Sequence, residues 1–267
     1  MDSRTGSFGL WAHPVVRNAG AMIRLLLIYF VLSLASFLML RTIIGYTSFR
    51  TDVQFLLLKQ AYIHNPFWKT AFYIHVFSAI VALLAGFTQF SRQILQQHKQ
   101  LHRLIGKIYV IDILVVNFPA GMIMGIYANG GLIGKTAFIL LDCLWFWFTY
   151  KAYATVRKRD FVSHREYMIR SYALTFSAIT LRTWKIILSH AFVIDLAHLY
   201  VIDAWMGFVP NLLIAEWIIR SGRRAKTRPL SAKRNAAGYE IANGSENQQK
   251  TNEEGAQKAD QFHMSDA

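Results

Sequence analysis

The chain has 267 residues, carries a formal charge of +14, and is 54% hydrophobic but only 16% charged. A water-soluble domain of this length needs more charge to cover its surface, so lipid is the expected solvent. The lone cysteine, Cys143, excludes an intrachain disulfide, and its place inside an apolar run marks it as a buried structural thiol.

A spanning helix needs ~20 mainly apolar residues, and six stretches approach that length, at about 22–46, 70–90, 103–127, 136–156, 165–188 and 200–220. The first starts late, runs too long for a signal peptide and lacks a small-residue cleavage pattern, so it reads as a retained helix. The second is free of formal charge. The third contains Pro119, Gly121 and Gly125, the composition of a kink or a close helix crossing. The fifth is the weakest, because Arg170, Arg182 and Lys185 interrupt it. The expected fold is an all-α polytopic membrane protein of six transmembrane helices, or five if the fifth stretch fails. Its second to fifth helices would form a four-helix core. The organisation follows as an N-terminal cytoplasmic segment (1–21), a transmembrane domain (22–220) and a basic, then disordered, cytoplasmic tail (221–267).

The positive charge is too unevenly placed for nucleic-acid binding. Nineteen of the 29 Lys and Arg fall before or at the very start of the first stretch (Arg4, Arg17, Arg24), between 91 and 107, between Lys151 and Arg165, and between Arg220 and Arg234. The alternate connections hold five: Arg41, Arg50, Lys59, Lys69 and Lys135. Short basic connections stay cytoplasmic, which puts both termini inside and the protein in the cytoplasmic (inner) membrane. Anionic lipid headgroups are the expected neighbours of Arg220–Arg234.

Ionisable groups inside spanning segments are expensive and point to function. Here they are His75, Asp112, Asp142, Arg170, Arg182 and Lys185, with Glu216 near an end. Depth along the helices suggests two ion pairs, Arg170–Asp112 and Arg182–Asp142. His75 heads a face that continues through Ala79, Ala82, Gly86 and Gln89. Such a small-residue stripe serves close helix packing, and would equally admit a flat macrocycle. His102, Gly106 and Tyr109 share a face of the third stretch, and His164, Ser171, Ala178 and Arg182 share one of the fifth.

Two His-Arg pairs, His102-Arg103 and His164-Arg165, therefore stand at equal depth on the inner ends of two parallel helices. Neutral imidazole suits metal or haem ligation, and an adjacent Arg suits an anionic partner such as a propionate. On the opposite side His75 and His190 are the matching candidate ligands, with His64 and His198 nearby. One histidine group per membrane face is the layout of a two-haem transmembrane electron carrier, with haem b as its cofactor. The sequence holds no Gly-rich phosphate loop and no His-Glu-x-x-His.

The segment Gly86-Phe87-Thr88-Gln89-Phe90, the run His102-Arg103-Leu104-Ile105-Gly106-Lys107-Ile108-Tyr109 and the stretch His164–Arg182, with Met168-Ile169-Arg170-Ser171-Tyr172-Ala173-Leu174 inside it, carry a resemblance. Over about 70–190 the chain resembles the bacterial membrane-protein family filed as domain of unknown function 2306. That resemblance implies an integral membrane protein and no particular chemistry. A looser similarity is to haem-b membrane cytochromes, whose four core helices each bear a histidine. The stretch 136–156 bears none, so a bis-His site here would need His190 or His198 as substitute. Three functions compete on these grounds: a haem or metal electron carrier, a small-solute or proton-coupled transporter using Asp112, Asp142 and Arg182, and a non-catalytic membrane subunit.

Overall fold

The computed structural model describes residues 14–192 and 195–224. The segment before residue 14, with Arg4, and the tail from residue 225 onward lie outside the described residues. The described helices are α1 (Pro14–Ile44), α2 (Pro66–Gln89), α3 (Arg92–Gln97), α4 (Lys99–Ile111), α5 (Phe118–Ile126), α6 (Gly131–Arg157), α7 (Phe161–Thr175), α8 (Ser177–Ala191) and α9 (Leu196–Met206). A 3-10 turn occupies Gln54–Lys59, and a π-helical turn, Asp112–Asn117, joins α4 to α5. Residues 209–215 are helical, as are 216–224, which fall in a second compact unit.

Local chemistry explains several boundaries. Asn65 starts α2 by accepting from the amides of Phe67 at 3.0 Å and Trp68 at 3.3 Å, with Pro66 at the first helical position. Asp160 does the same for α7 through Ser163 at 3.0 Å, and Asp195 for α9 through Ala197 at 3.1 Å. Proline lacks an amide hydrogen, and its ring collides with the carbonyl four residues back. Here Pro119 is the second residue after the π turn, which widens the helix where that carbonyl would clash. Asn117 donates its side-chain amide to the carbonyl of Asp112 at 3.3 Å, a further tie across the turn.

Five helical segments are long and apolar enough to cross a membrane: Leu26–Ile44, Pro66–Gln89, Lys99–Ile126, Gly131–Arg157 and Ala197–Arg224. The 165–188 stretch, the weakest of the six expected spans, is not among them. It is divided at Phe176 into α7 and α8, of 15 residues each. At the join the amide of Ile179 bonds three residues back to Phe176 at 2.9 Å, a local tightening of the spiral.

Packing is inverted relative to a soluble protein. Leu26, Phe30, Phe37 and Leu213 are each more than 60% exposed, whereas Ala82, Ala137, Ala152, Thr149 and Ser171 have no exposed surface. Small and hydroxyl-bearing residues between helices, with large apolar ones outside, are what lipid as solvent selects. The central packing is that of α2, the α4–α5 rod, α6 and α7, with α6 against α7 the most extensive pair and α1 set against α2. This is the four-helix core expected from the second to fifth stretches. Cys143 corrects one expectation: its thiol is exposed on the outside of α6 rather than buried, because it follows Asp142, which takes the inward position.

One end of the bundle is closed by Lys59, which the sequence presents as an ordinary loop cation. Lys59 is 2% exposed. Its Nζ donates to the carbonyl of Tyr127 at 2.6 Å and to Oδ1 of Asn129 at 2.7 Å, and lies 5.7 Å and 5.6 Å from the ring centroids of Phe55 and Tyr62. Burial, with a smaller contribution from Lys135, pulls its pKa down from 10.5 to about 8. The unfolded chain therefore binds more protons than the folded one between these two values, so stability rises with pH across that window and is flat below it. Two acceptors need only the two hydrogens of a neutral amine, so both bonds survive deprotonation. In thermal melts of detergent-solubilised protein, wild type is expected to gain on Lys59→Met as pH rises from about 8 to 10.5. Equal pH slopes for the two proteins would refute the coupling.

Candidate functional site

The two helix faces singled out by spacing meet in the core. Tyr109 of α4 lies 2.7 Å from Ser171 and 3.0 Å from Thr175, both of α7. Across on α6, Trp145 donates its indole N–H to Thr175 at 3.2 Å, and Thr149 lies 2.7 Å from Ser171. Thr149 also donates to the carbonyl of Trp145 at 2.7 Å. A consistent assignment runs from the Trp145 indole through Thr175, Tyr109, Ser171 and Thr149 back to the Trp145 carbonyl. In the opposite sense the chain ends on the carbonyl of Ser171, which Thr175 reaches at 3.3 Å. Either way every hydroxyl hydrogen finds an acceptor, and both ends are backbone carbonyls. The ring is saturated without any His, Asp or Glu, so it ties α4, α6 and α7 together.

The histidines flank this ring. His164, fourth residue of α7, places Nδ1 2.8 Å from the carbonyl of Ala152. That bond puts the hydrogen on Nδ1 and leaves the Nε2 lone pair for a ligand or donor. His102, fourth residue of α4, holds a buried Nδ1 with no hydrogen-bond partner, and the His164 imidazole is among the groups it senses electrostatically. The structure thus brings His102 and His164 to one end of the bundle. Arg103 and Arg165 beside them are both exposed, on the positions from which they reach headgroups or anions.

At the other end the histidines do not gather. His64, His190 and His198 are exposed. His190 bonds the carbonyl of Ile186 in its own helix at 2.8 Å, and His198 pairs with Asp195 at 3.2 Å. His75 alone is drawn inward, its Nδ1 buried and without a partner. Among the described residues no three His, Cys, Asp or Glu converge on a point that could hold a metal ion. The small-residue stripe below His75 is filled by protein: Tyr172 lies against Gly86 and donates to the carbonyl of Leu83 at 2.6 Å, while Ala82 has no exposed surface. A macrocycle does not fit on this face.

Neither expected ion pair forms. Asp112 is 8% exposed, and its Oδ2 has no hydrogen-bond partner. The guanidinium of Arg170 lies instead 5.8 Å and 5.4 Å from the rings of Phe148 and Tyr167. Asp142 is 6% exposed, its Oδ2 also without a partner, and its carboxyl packs on Gly121: a Cβ there would come within 2.7 Å of Oδ1. Arg182 bonds back to the carbonyl of Ala178 and senses Asp203 of α9. The depth argument missed rotation about the helix axis: residues at one depth meet only when their faces do.

Sequence reasoning passed over Asp203, Asn117 and Lys59. Asp203 is 4% exposed with a partnerless Oδ1, and Asn117 is fully buried with a partnerless Oδ1. Asp203 sits fourth from the start of its apolar stretch and so reads as interfacial. Asn117 carries no charge to draw notice, although an amide two residues before a proline inside a span is a usable signal.

An all-helical bundle with apolar outer faces, five membrane-length segments and polar groups confined within defines a polytopic membrane protein. The family described as predicted membrane protein (DUF2306) matches residues 72–219, more than half of the chain, and the chain belongs to that family. No curated protein and no solved structure matches it.

Proposed function

We propose that the protein is a proton-coupled carrier of small solutes, with Asp112 and Asp142 as the groups that bind and release protons within the membrane. The observation that carries this reading is the pair of buried carboxyls with partnerless oxygens at an interrupted helix. Asp112 opens the π turn, and Asp142 packs on Gly121 just beyond it. Membrane carriers place binding groups at broken helices, where backbone and side chains can change partners. The saturated ring around Trp145 supplies the rigid counterpart.

A hydrophobic carbodiimide tests the reading, since it couples to carboxyls that take up a proton in apolar surroundings. Labelling of wild type is expected at Asp142 and Asp112, with loss of each site in Asp142→Asn and Asp112→Asn. In proteoliposomes carrying an internal pH dye, Asp142→Asn is expected to abolish solute-driven proton movement at nearly unchanged Tm. If the variant only lowers Tm and proton movement persists, Asp142 is structural and the reading fails.

One observation favours a second reading, an electron carrier linked to haem or metal at the other end. His164 has its Nδ1 anchored on Ala152 and its Nε2 lone pair available near His102. The absorption spectrum of protein purified from haem-replete cells decides it, for without a reduced-minus-oxidised Soret difference the reading falls.

A further inference from the structure

We infer that a cleft between the last turn of α1 and α8 binds a phosphate oxyanion, carried on a phospholipid headgroup or free in solution. The cleft has a volume of about 350 Å³ and is lined by Arg41, Arg182, Thr183 and Gln54, with Leu38 and Ile179 among its apolar wall residues. No carboxylate lines it. Two guanidinium groups facing one cleft repel each other, and an anion between them turns that repulsion into attraction. Arg41 makes no hydrogen bond or ion pair among the described residues. Arg182 commits one N–H to the carbonyl of Ala178 and keeps others for a ligand, while Asp203 balances it from the α9 side. Two planar forks suit the several oxygens of a phosphate better than a single carboxylate.

The rim is built to hold its position. Gln54 adopts a left-handed φ of 47°, a conformation that costs a non-glycine residue about 1 kcal/mol. Its side-chain amide is fixed on the carbonyl of Thr42 at 3.3 Å. Gly45 makes room for that amide, since a Cβ there would lie 1.9 Å from Nε2. Backbone strain that places a polar group at a cleft mouth is characteristic of a binding site. Arg41 lies three residues before Ile44, where the apolar run of α1 ends, hence ~4–5 Å inside that boundary. From that depth a long Arg side chain reaches outward to the headgroup phosphates by snorkelling, and the exposed Leu38 on the wall suits acyl chains. Neither Asp112 nor Asp142 lines the cleft, so the inference stands independently of the carrier reading.

The test uses the full-length protein in neutral detergent, with Tm read against phosphatidylglycerol, phosphatidylcholine or inorganic phosphate. At tenfold saturation a bound oxyanion is expected to raise Tm by about 4 °C. A rise with phosphatidylglycerol alone assigns the site to lipid, and a rise with inorganic phosphate assigns it to the free ion. Arg41→Gln, which gives up no hydrogen bond or ion pair among the described residues, is expected to remove the rise. Lys99→Gln, which deletes an exposed charge at the start of α4, is expected to keep it. No rise with either phosphate source overturns the inference, as does a rise undiminished in Arg41→Gln. Arg182→Gln provides the second arm, and retention of the full rise there also overturns it.

Discussion

Gly86→Ala is expected to destabilise the protein by about 4 kcal/mol, the sum of a severe overpacking term and one lost hydrogen bond. The new methyl carbon would lie 1.9 Å from Oη, 2.2 Å from Cζ and 2.8 Å from Cε2 of Tyr172. Tyr172 has nowhere to retreat. Its hydroxyl is bonded to the Leu83 carbonyl at 2.6 Å, and its ring stands 4.8 Å from that of Phe90 and 5.8 Å from that of Phe176. Denaturant or thermal unfolding in detergent measures the loss. The mechanism is checked by coupling: in a Tyr172→Leu background the same glycine change is expected to cost less than about 1 kcal/mol. Equal costs in the two backgrounds would show that the glycine serves some other purpose.

Tyr109→Phe is expected to cost about 1 to 2 kcal/mol, because one deleted oxygen removes two buried hydrogen bonds while Ser171 and Thr175 keep their other partners. Ser171 loses the hydroxyl at 2.7 Å, and Thr175 loses the one at 3.0 Å. The double variant Tyr109→Phe/Ser171→Ala is expected to be less destabilised than the two single costs predict, since both changes delete the same Tyr109–Ser171 bond. Carbodiimide labelling at Asp142 is expected to be unchanged in Tyr109→Phe, because the ring is saturated apart from the carboxyls. Additive costs together with altered labelling would place the ring in the proton route instead.

The membrane class and five of the six expected helical spans were legible because they follow from one-dimensional quantities, apolar length and charge. That His102, Gly106 and Tyr109 share one helix face, and His164 and Ser171 another, was legible from helical spacing. Contacts between helices were not. Asp112 and Arg170 fail to pair because depth says nothing of rotation, and Cys143 turns outward because Asp142 beside it turns inward. Lys59 was invisible for a different reason. Its burial depends on the 3-10 turn folding onto Tyr127 and Asn129, a contact across about seventy residues that no local pattern announces.

The π turn has a geometric consequence for the rod it interrupts. Twelve residues separate Tyr109 from Gly121, and at 3.6 residues per turn an unbroken α-helix would set them about 120° apart. A π turn absorbs one extra residue, which reduces the offset to about 20° on the same arithmetic. Both residues consequently look the same way, Tyr109 towards Trp145 and Thr149 by way of the ring, and Gly121 towards Asp142, all three on α6. A single surplus peptide unit keeps the rigid half of the rod and its carboxyl-bearing half in phase against one neighbour.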